Sequence, residues 1–303
     1  MRLDKLIGER FGLSRRAAQE AVRKGQVDVA GQTCLEPGQD VDDAAALNFE
    51  PNRPRRGSRT RRLQVLYEDR QILIVDKPAG LLTQPTPARE RNTLLERAGR
   101  YLARKHGIVK PYIGIVHRLD QDTSGAILLV TSPRALRPFQ TMFRTHAIER
   151  SYLAVVEGVF LTPSGRIDLP LVRDRGDGRR GVSREPGQGV PALTHYEVLE
   201  TFGQTASLVA CRLETGRTHQ IRIHLAEIGH PVVGDQVYRP RASPRFPIPF
   251  ARQALHARSL GLVHPRSGEE IRVEAPIPAD MSELTAELRR RFGVSSPGSG
   301  YLQ

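Results

Sequence analysis

The chain has 303 residues, of which 39% are hydrophobic, enough to bury a sizeable core in one large or two unequal domains. Its formal net charge of +13, carried mostly by Arg, points to a polyanionic partner, and the planar Arg fork suits bidentate phosphate contact. Two distant cysteines exclude a disulfide framework and a CxxC motif, the opening "MRLDKLIGERFGLSRR" lacks the apolar stretch of a signal peptide, and no apolar run approaches a membrane span, so the expectation is a soluble cytoplasmic protein.

Residues 1–50 read as a small unit. Leu3, Leu6 and Ile7 recur at helical spacing. A second helix is predicted from the cap Ser14 to the stop Gly25, with Ala17, Ala18, Ala21 and Val22 as its apolar stripe. "QVDVAGQTC" then alternates into a turn at Gly31, which predicts a short hairpin. Residues 51–62, "PNRPRRGSRTRR", hold no aliphatic side chain and read as a basic linker, either a solvated spacer or a phosphate contact.

From Leu63 to residue 292 a larger domain is predicted. Its expected strands are "QVLYED", "ILIVDK", "YIGIV", "AILLVT", "SYLAVVEG", "HYEVLETF", "SLVACRLE", "LHARSLGLVH" and "IRVEAP", with "HPRSGEE" as the hairpin turn between the last two. Its expected helices are "TLLERAGRYLARKH", "PRALRPFQTMFRTH", "THQIRIHLAEI" and "MSELTAELRRRF". Strands follow strands more often than they alternate with helices, so the predicted class is α+β, a mixed, largely antiparallel sheet with flanking helices beside the small N-terminal module. The tail 293–303 is expected to be disordered.

Three stretches could carry chemistry. "HRLDQDTSG" (117–125) interrupts two apolar runs with nine mostly polar residues. Asp120 there follows Arg118 by two residues, and a carboxylate held by a cation at a sheet end can be aimed at a substrate. Taken alone, Asp120, Asp122 and Thr123 would more simply form a turn. The second stretch, "LETGRTHQIRIHLAEIGHPVVGD" (213–235), alternates like a strand at Ile221 and Ile223, but Thr218 as cap, Gly229 as stop and Pro231 beyond it favour a helix. Arg217 before that helix start suits a phosphate, and Arg222 could reach a buried carboxylate. In the third, "ERSYLAVVEG", Tyr152 sits in an aliphatic strand, where a core aromatic is the simpler reading and a stacking platform for a nucleobase the functional one.

His219, His224 and His230 do not follow HExxH, so no metal is expected. "HRLD" departs from the kinase HRD and no DFG follows it, and neither GxGxxG nor a P-loop is present, so no nucleotide cofactor is expected.

These segments resemble the signature segments of the RluA-type pseudouridine synthases, and "IVDKPAGLL" (74–82) resembles that family's entry motif. "RLDKLI", "SRRAAQEAVRKGQVDVAG" and "PGQDV" resemble an S4 RNA-binding domain. Arg150 stands where the family often has Lys, and Ala30 where S4 domains often have Asn. The resemblance implies isomerisation of uridine in RNA to pseudouridine without a cofactor. It implies Asp120 as the essential carboxylate, whether it attacks C1′, adds to C6 or assists elimination. It assigns Tyr152 to stack on the uracil and help remove the C5 proton, and Arg222 to orient Asp120. Arg118 would hold the target nucleotide out of its stack, Arg217 would assist on phosphates, and Arg15, Arg16 and Lys24 would be phosphate contacts of the S4-like part. The implied partner is RNA, ribosomal before transfer RNA, bound by a monomer. The rival readings are a non-catalytic RNA-binding or ribosome-assembly protein on the same scaffold, and a glycosidase using Asp120 and Asp122.

Overall fold

The computed structural model describes residues 1–23, 25–34, 37–51, 63–85, 92–185, 187–240 and 244–295. The chain divides into two units, 1–61 and 62–303. The expected linker lies almost wholly outside the described residues.

In the first unit α1 (Leu3–Phe11) and α2 (Arg15–Arg23) face each other, and Leu3, Leu6, Ile7, Ala18, Ala21 and Val22 close one small core with Val27. Ser14 caps α2, its Oγ accepting from the Ala17 N–H at 3.3 Å, and Gly25 leaves the helix at φ 67°. β1 (Val27–Val29) pairs antiparallel with β2 (Gln32–Thr33) and β3 (Leu47–Phe49). The β1–β2 turn puts Ala30 at φ 49° and Gly31 at φ 78°. Two successive positive φ values make the tight hairpin turn in which Asn-Gly is preferred, so Ala30 holds a conformation that Asn tolerates better.

The second unit opens with β4 (Gln64–Glu68) and β5 (Ile72–Lys77), then α3 (Leu94–His106), β6 (Gly114–Ile115), β7 (Ser124–Val130) and α4 (Pro133–Arg144). β8 (Glu149–Glu157), β9 (Ser164–Asp168), β10 (Leu171–Val172), β11 (Gly181–Val182), β12 (Leu193–Phe202) and β13 (Ala206–Leu213) follow. α5 (Gln220–Glu227), β14 (Leu255–Val263), β15 (Glu270–Glu274) and α6 (Ala279–Phe292) complete it. A ten-stranded sheet runs β4-β5-β7-β14-β8-β13-β12-β9, with β15 beside β14 and β6 beside β7, while β10 and β11 form a separate hairpin. Every pair in the large sheet is antiparallel except β7–β14, so it is mixed and largely antiparallel as the pattern of elements predicts.

The alternation of side chains builds two cores. Ile72 and Ile74 of β5 and Leu128 of β7 face Ala135 and Phe139 of α4. Leu73, Val75, Ile127 and Leu129 point the other way, into the cluster that holds Leu94, Ala98 and Leu102 of α3, Ile221 and Leu225 of α5, and Met281, Leu284 and Leu288 of α6. Each such side chain taken fully from water stabilises the fold by roughly 1.5–3 kcal/mol.

The one parallel pairing decides the end of the "HRLDQDTSG" segment. Ser124 and Gly125 pair with His256 and Ala257. Gly125 has φ 114°, and a Cβ there would overlap the Ala257 carbonyl, so only glycine fits this approach. Beside it the Ser124 Oγ donates to His256 Nδ1 at 2.9 Å, because Nε2 of that ring donates to the Ala275 carbonyl.

Some elements differ from expectation. "YIGIV" is a strand only at Gly114–Ile115, since His117 turns inward and its Nε2 accepts from the Leu128 N–H at 2.9 Å. β9, β10 and β11 escape the apolar pattern because they are short and carry few aliphatic residues. Thr218 is not the cap of α5, as described below. Of the expected tail, Ser295 still exchanges both backbone hydrogen bonds with Thr201. Among the described residues no helix is long and apolar enough to cross a membrane.

Candidate active site

The loop between β6 and β7 carries Asp120, and its backbone is tied down on both sides. Lys77, at the end of β5, has no exposed surface, and its Nζ donates to the carbonyls of Gln121 (2.9 Å), Leu81 (2.8 Å) and Pro78 (3.1 Å). Burial, set against the nearby carboxylates of Asp122 and Asp120, brings this amine down to about 7. Thr83 Oγ1 donates to the Leu119 carbonyl at 3.0 Å, and the Gly80 N–H to the Gln121 carbonyl at 2.9 Å. From the other side Arg252, paired with Asp280, donates through Nη1 to the Asp122 carbonyl at 3.1 Å. The loop is a platform clamped through its own backbone carbonyls at Leu119, Gln121 and Asp122.

Opposite it stands α5. Gln220, Ile221, Arg222, Ile223, His224 and Leu225 are all buried, so this helix is enclosed rather than amphipathic. Its N-cap residue is His219 in the left-handed region (φ 61°), with no side-chain cap hydrogen bond. Gln220 does the local tethering, its Oε1 accepting from Thr215 Oγ1 at 2.8 Å and from the Arg217 N–H at 2.9 Å. Thr218 therefore plays no capping part.

Arg222 joins two carboxylates. Its Nε and Nη2 donate to Asp235 at 2.6 and 3.0 Å, and its Nη1 donates to Asp120 Oδ2 at 3.0 Å. The Asp235 side chain is 1% exposed and that of Asp120 is 23% exposed, so the inner carboxylate is structural and the outer one can meet a ligand. Burial works against both ions of the inner pair. The fork of hydrogen bonds outweighs it, holding Arg222 above its ordinary value and Asp235 below the usual carboxylate range. Asp235 is itself fixed by the N–H groups of Val237 (2.8 Å) and Tyr238 (3.1 Å).

The second oxygen of Asp120 faces His219, whose Nε2 lies 3.7 Å from Oδ1. Nδ1 of the same ring meets the Tyr238 hydroxyl at 2.7 Å, and the Arg222 guanidinium lies over the Tyr238 ring at 5.0 Å. Burial pushes the Tyr238 phenol up to about 12, so it stays protonated, and because the Asp120 carboxylate opposite Nε2 favours the ring proton there, the phenol donates to Nδ1. Burial also lowers His219, against the pull of Asp120. The neutral ring then carries its proton on Nε2, facing Asp120.

Of the residues singled out in the sequence, Asp120 and Arg222 meet directly. Tyr152, on β8 between Ala257 and Cys211, is 7% exposed, and burial raises its phenol, with Asp120 near enough to add to the effect. Arg118 is exposed beside Asp120 and has no hydrogen bond or ion pair among the described residues. Arg217 is exposed, its Nε donating to the Pro191 carbonyl at 3.2 Å rather than facing the helix axis. In the first unit Arg15 is 75% exposed and 3.9 Å from Asp4, Arg16 is exposed, and Lys24 lies outside the described residues. His224 and His230 are absorbed by the fold through the Leu169 and Glu157 carbonyls.

Sequence reasoning missed Asp235, Tyr238, His219 as a neighbour of Asp120, and Lys77. The available signal was position: Lys77 closes the apolar run "ILIVDK", and Asp235 closes "GHPVVGD" just after Val232, Val233 and Gly234. A charge at the end of a buried strand calls for buried partners.

Residues 71–227 match the family described as RNA pseudouridylate synthase, and residues 1–45 match the S4 domain. An uncharacterized RNA pseudouridine synthase, YlyB, of Bacillus subtilis (strain 168) is 38% identical over 298 residues, covering 95% of this chain and 94% of that protein. Ribosomal large subunit pseudouridine synthase D of Escherichia coli (strain K12) is 39% identical over 305 residues, covering 96% of this chain and 91% of that protein. The solved structure of human RNA Pseudouridylate Synthase Domain Containing 1 is 27% identical with a TM-score of 0.59, covering 76% of this chain and 95% of that one.

Proposed function

Because the chain belongs to the RNA pseudouridylate synthase family and carries an S4 domain, we propose that it isomerises specific uridines of large-subunit ribosomal RNA, with Asp120 as the essential carboxylate. The observation that carries this reading is the Asp235–Arg222–Asp120 chain, in which a buried ion pair aims a partly exposed carboxylate. The reaction breaks the N-glycosidic bond, turns the uracil and joins C5 to C1′. The C5 proton that is lost is matched by the proton N1 gains once its bond to C1′ is broken, so the residues must assist that cleavage, hold and turn the base, and carry off the C5 proton, with no outside reagent.

In this reading Arg222 orients Asp120 and offsets the charge that the carboxylate gains or loses as it acts on the nucleoside. Tyr152 supplies an apolar face for the uracil, and because burial keeps its phenol protonated, stacking comes before any part in removing the C5 proton. The target base must leave its stack at a cost of roughly a few kcal/mol. In this reading Arg118, exposed two residues before Asp120, helps hold the target nucleotide out of its stack, and the terminal nitrogens of Arg217 assist on the phosphates. Arg15, Arg16 and Lys24 give the S4 domain its phosphate contacts, which makes binding salt-dependent. The protein works as a cytoplasmic monomer.

The test is to incubate protein-free large-subunit ribosomal RNA with wild type and with Asp120→Asn, and to map pseudouridine. The expected result is product with wild type alone, and RNA affinity of the variant within a few fold. Product from the variant removes Asp120 from the chemistry. Absence of product from wild type on any cellular RNA leaves an RNA-binding protein on this scaffold, and release of free uracil indicates a glycosidase.

A further inference from the structure

Four arginines of the described residues are buried: Arg97, Arg150, Arg222 and Arg252. Three have clear partners. Arg222 holds Asp235 and Asp120, Arg252 holds Asp280, and Arg97 Nε donates to Asn92 Oδ1 at 3.1 Å. Arg150 differs. It is 7% exposed, its Nε is buried without a partner, and among the described residues it makes no hydrogen bond or ion pair. A buried cation is normally paired, and leaving one unpaired is costly to the folded state.

Its surroundings do not neutralise it. The guanidinium lies over the Phe143 ring at 5.7 Å, and that ring stacks on His117 with centroids 4.4 Å apart. Burial, and then the Arg150 charge, hold His117 down at about 3, so the ring beside the guanidinium is neutral. Gly216 is exposed, and a Cβ on it would collide with Arg150 Nη1. The guanidinium edge therefore comes up directly beneath a bare stretch of backbone at the surface. Along β8 Arg150 and Tyr152 are two residues apart, so they share a face about 7 Å from each other.

We infer that Arg150 binds a backbone phosphate of the RNA strand that carries the target uridine, at the flipped nucleotide or its immediate neighbour. This rests on the proposed function for the identity of the anion. RNA offers no anion but phosphate, and of the guanidinium nitrogens only Nε is sealed from the surface, which leaves the terminal nitrogens beside Gly216 to meet it. A site that lacks its counter-ion until substrate arrives holds its charge ready without an internal carboxylate to compete for it.

The test uses the full chain and Arg150→Met, which keeps the apolar stem and removes the charge. A nine-residue oligouridylate is the binding probe. The expected results are an unchanged or raised melting temperature, affinity about tenfold weaker at low salt, and a salt slope shallower by about 0.7 for one lost phosphate contact. On ribosomal RNA, KM should rise about tenfold with kcat within about threefold. Arg150→Lys, which keeps the charge, should restore most of the slope. Unchanged affinity and slope in Arg150→Met overturn the inference, and so does a lowered melting temperature with intact binding. If Arg150→Met fails to fold, Gly216→Ala is the second variant: it crowds Nη1, and should weaken oligouridylate binding, whereas wild-type affinity overturns the site. Failure of wild type to modify ribosomal RNA sinks the functional reading instead, while the oligouridylate arm still judges Arg150.

Discussion

Arg222 gives Asp235 two of its guanidinium nitrogens and Asp120 the third. The bidentate side is buried and fixes the plane of the fork, so Nη1 has one direction left, toward the loop between β6 and β7. Asp235 thereby sets the position of a carboxylate that it never touches.

Asp235→Asn should therefore act at a distance. It leaves the buried Arg222 charge half-compensated, and breaking such a pair costs about 3 kcal/mol or more. Urea unfolding should show that loss, and single-turnover conversion should slow by at least about a hundredfold with RNA affinity nearly intact. A stable, active variant would show that Asp120 keeps its place without this pair.

Tyr238→Phe removes the hydroxyl that donates to His219 Nδ1. The ring is then free to move its proton to Nδ1 and present a lone pair to Asp120, which repels it. The expected effect is a kcat a few-fold lower at unchanged KM, since Nε2 lies 3.7 Å from Asp120 Oδ1, a polar contact rather than a full hydrogen bond. His219→Gln, which retains a donor near the Nε2 position, should lose less activity than His219→Asn, which suits the left-handed backbone but falls short of Asp120. Equal loss in the two would remove the donor from the account.

His256 sets an acid limit on stability. Burial lowers it from 6.5 to about 4, so between those values the unfolded chain binds a proton that the folded chain refuses. Its contribution is complete above 6.5 and falls away as pH drops toward about 4, a loss of roughly 3 kcal/mol. Denaturant unfolding should be flat for this group above neutrality and weaken across that window. His256→Gln should make the slope shallower by about one proton, leaving the share that buried His117 contributes over the same range, whatever it does to stability at neutral pH, and an unchanged slope would assign the acid sensitivity elsewhere.

Deleting residues 1–60 should weaken binding to large RNA at least about tenfold while saturating turnover stays within a few fold. The salt slope should become shallower as phosphate contacts are lost. An unchanged slope in the deletion would argue against phosphate binding by the S4 domain.

Much of the fold was legible because its signals are local. Ser14, Gly25 and Thr93 act as helix boundaries within a few residues of themselves. β5 and β7 read as strands because both faces are buried, which demands unbroken aliphatic runs. α5 was ambiguous for the same reason: enclosed on every side, it has no polar stripe to set a period. Its true cap went unseen because His219 takes a left-handed backbone, uncommon outside glycine, and makes no side-chain cap hydrogen bond.

The amino-acid sequence by itself determined the class of fold, the two stretches that meet at the site, and that a carboxylate and a guanidinium would be among the residues there. Only the tertiary structure decided which groups pair. Arg222 lies 102 positions from Asp120 and 13 from Asp235, and nothing in local spacing ranks one above the other. That choice, like the solitude of Arg150, follows from how the sheet orders its strands, because charges sort themselves by distance through space and by burial, and a linear pattern encodes neither.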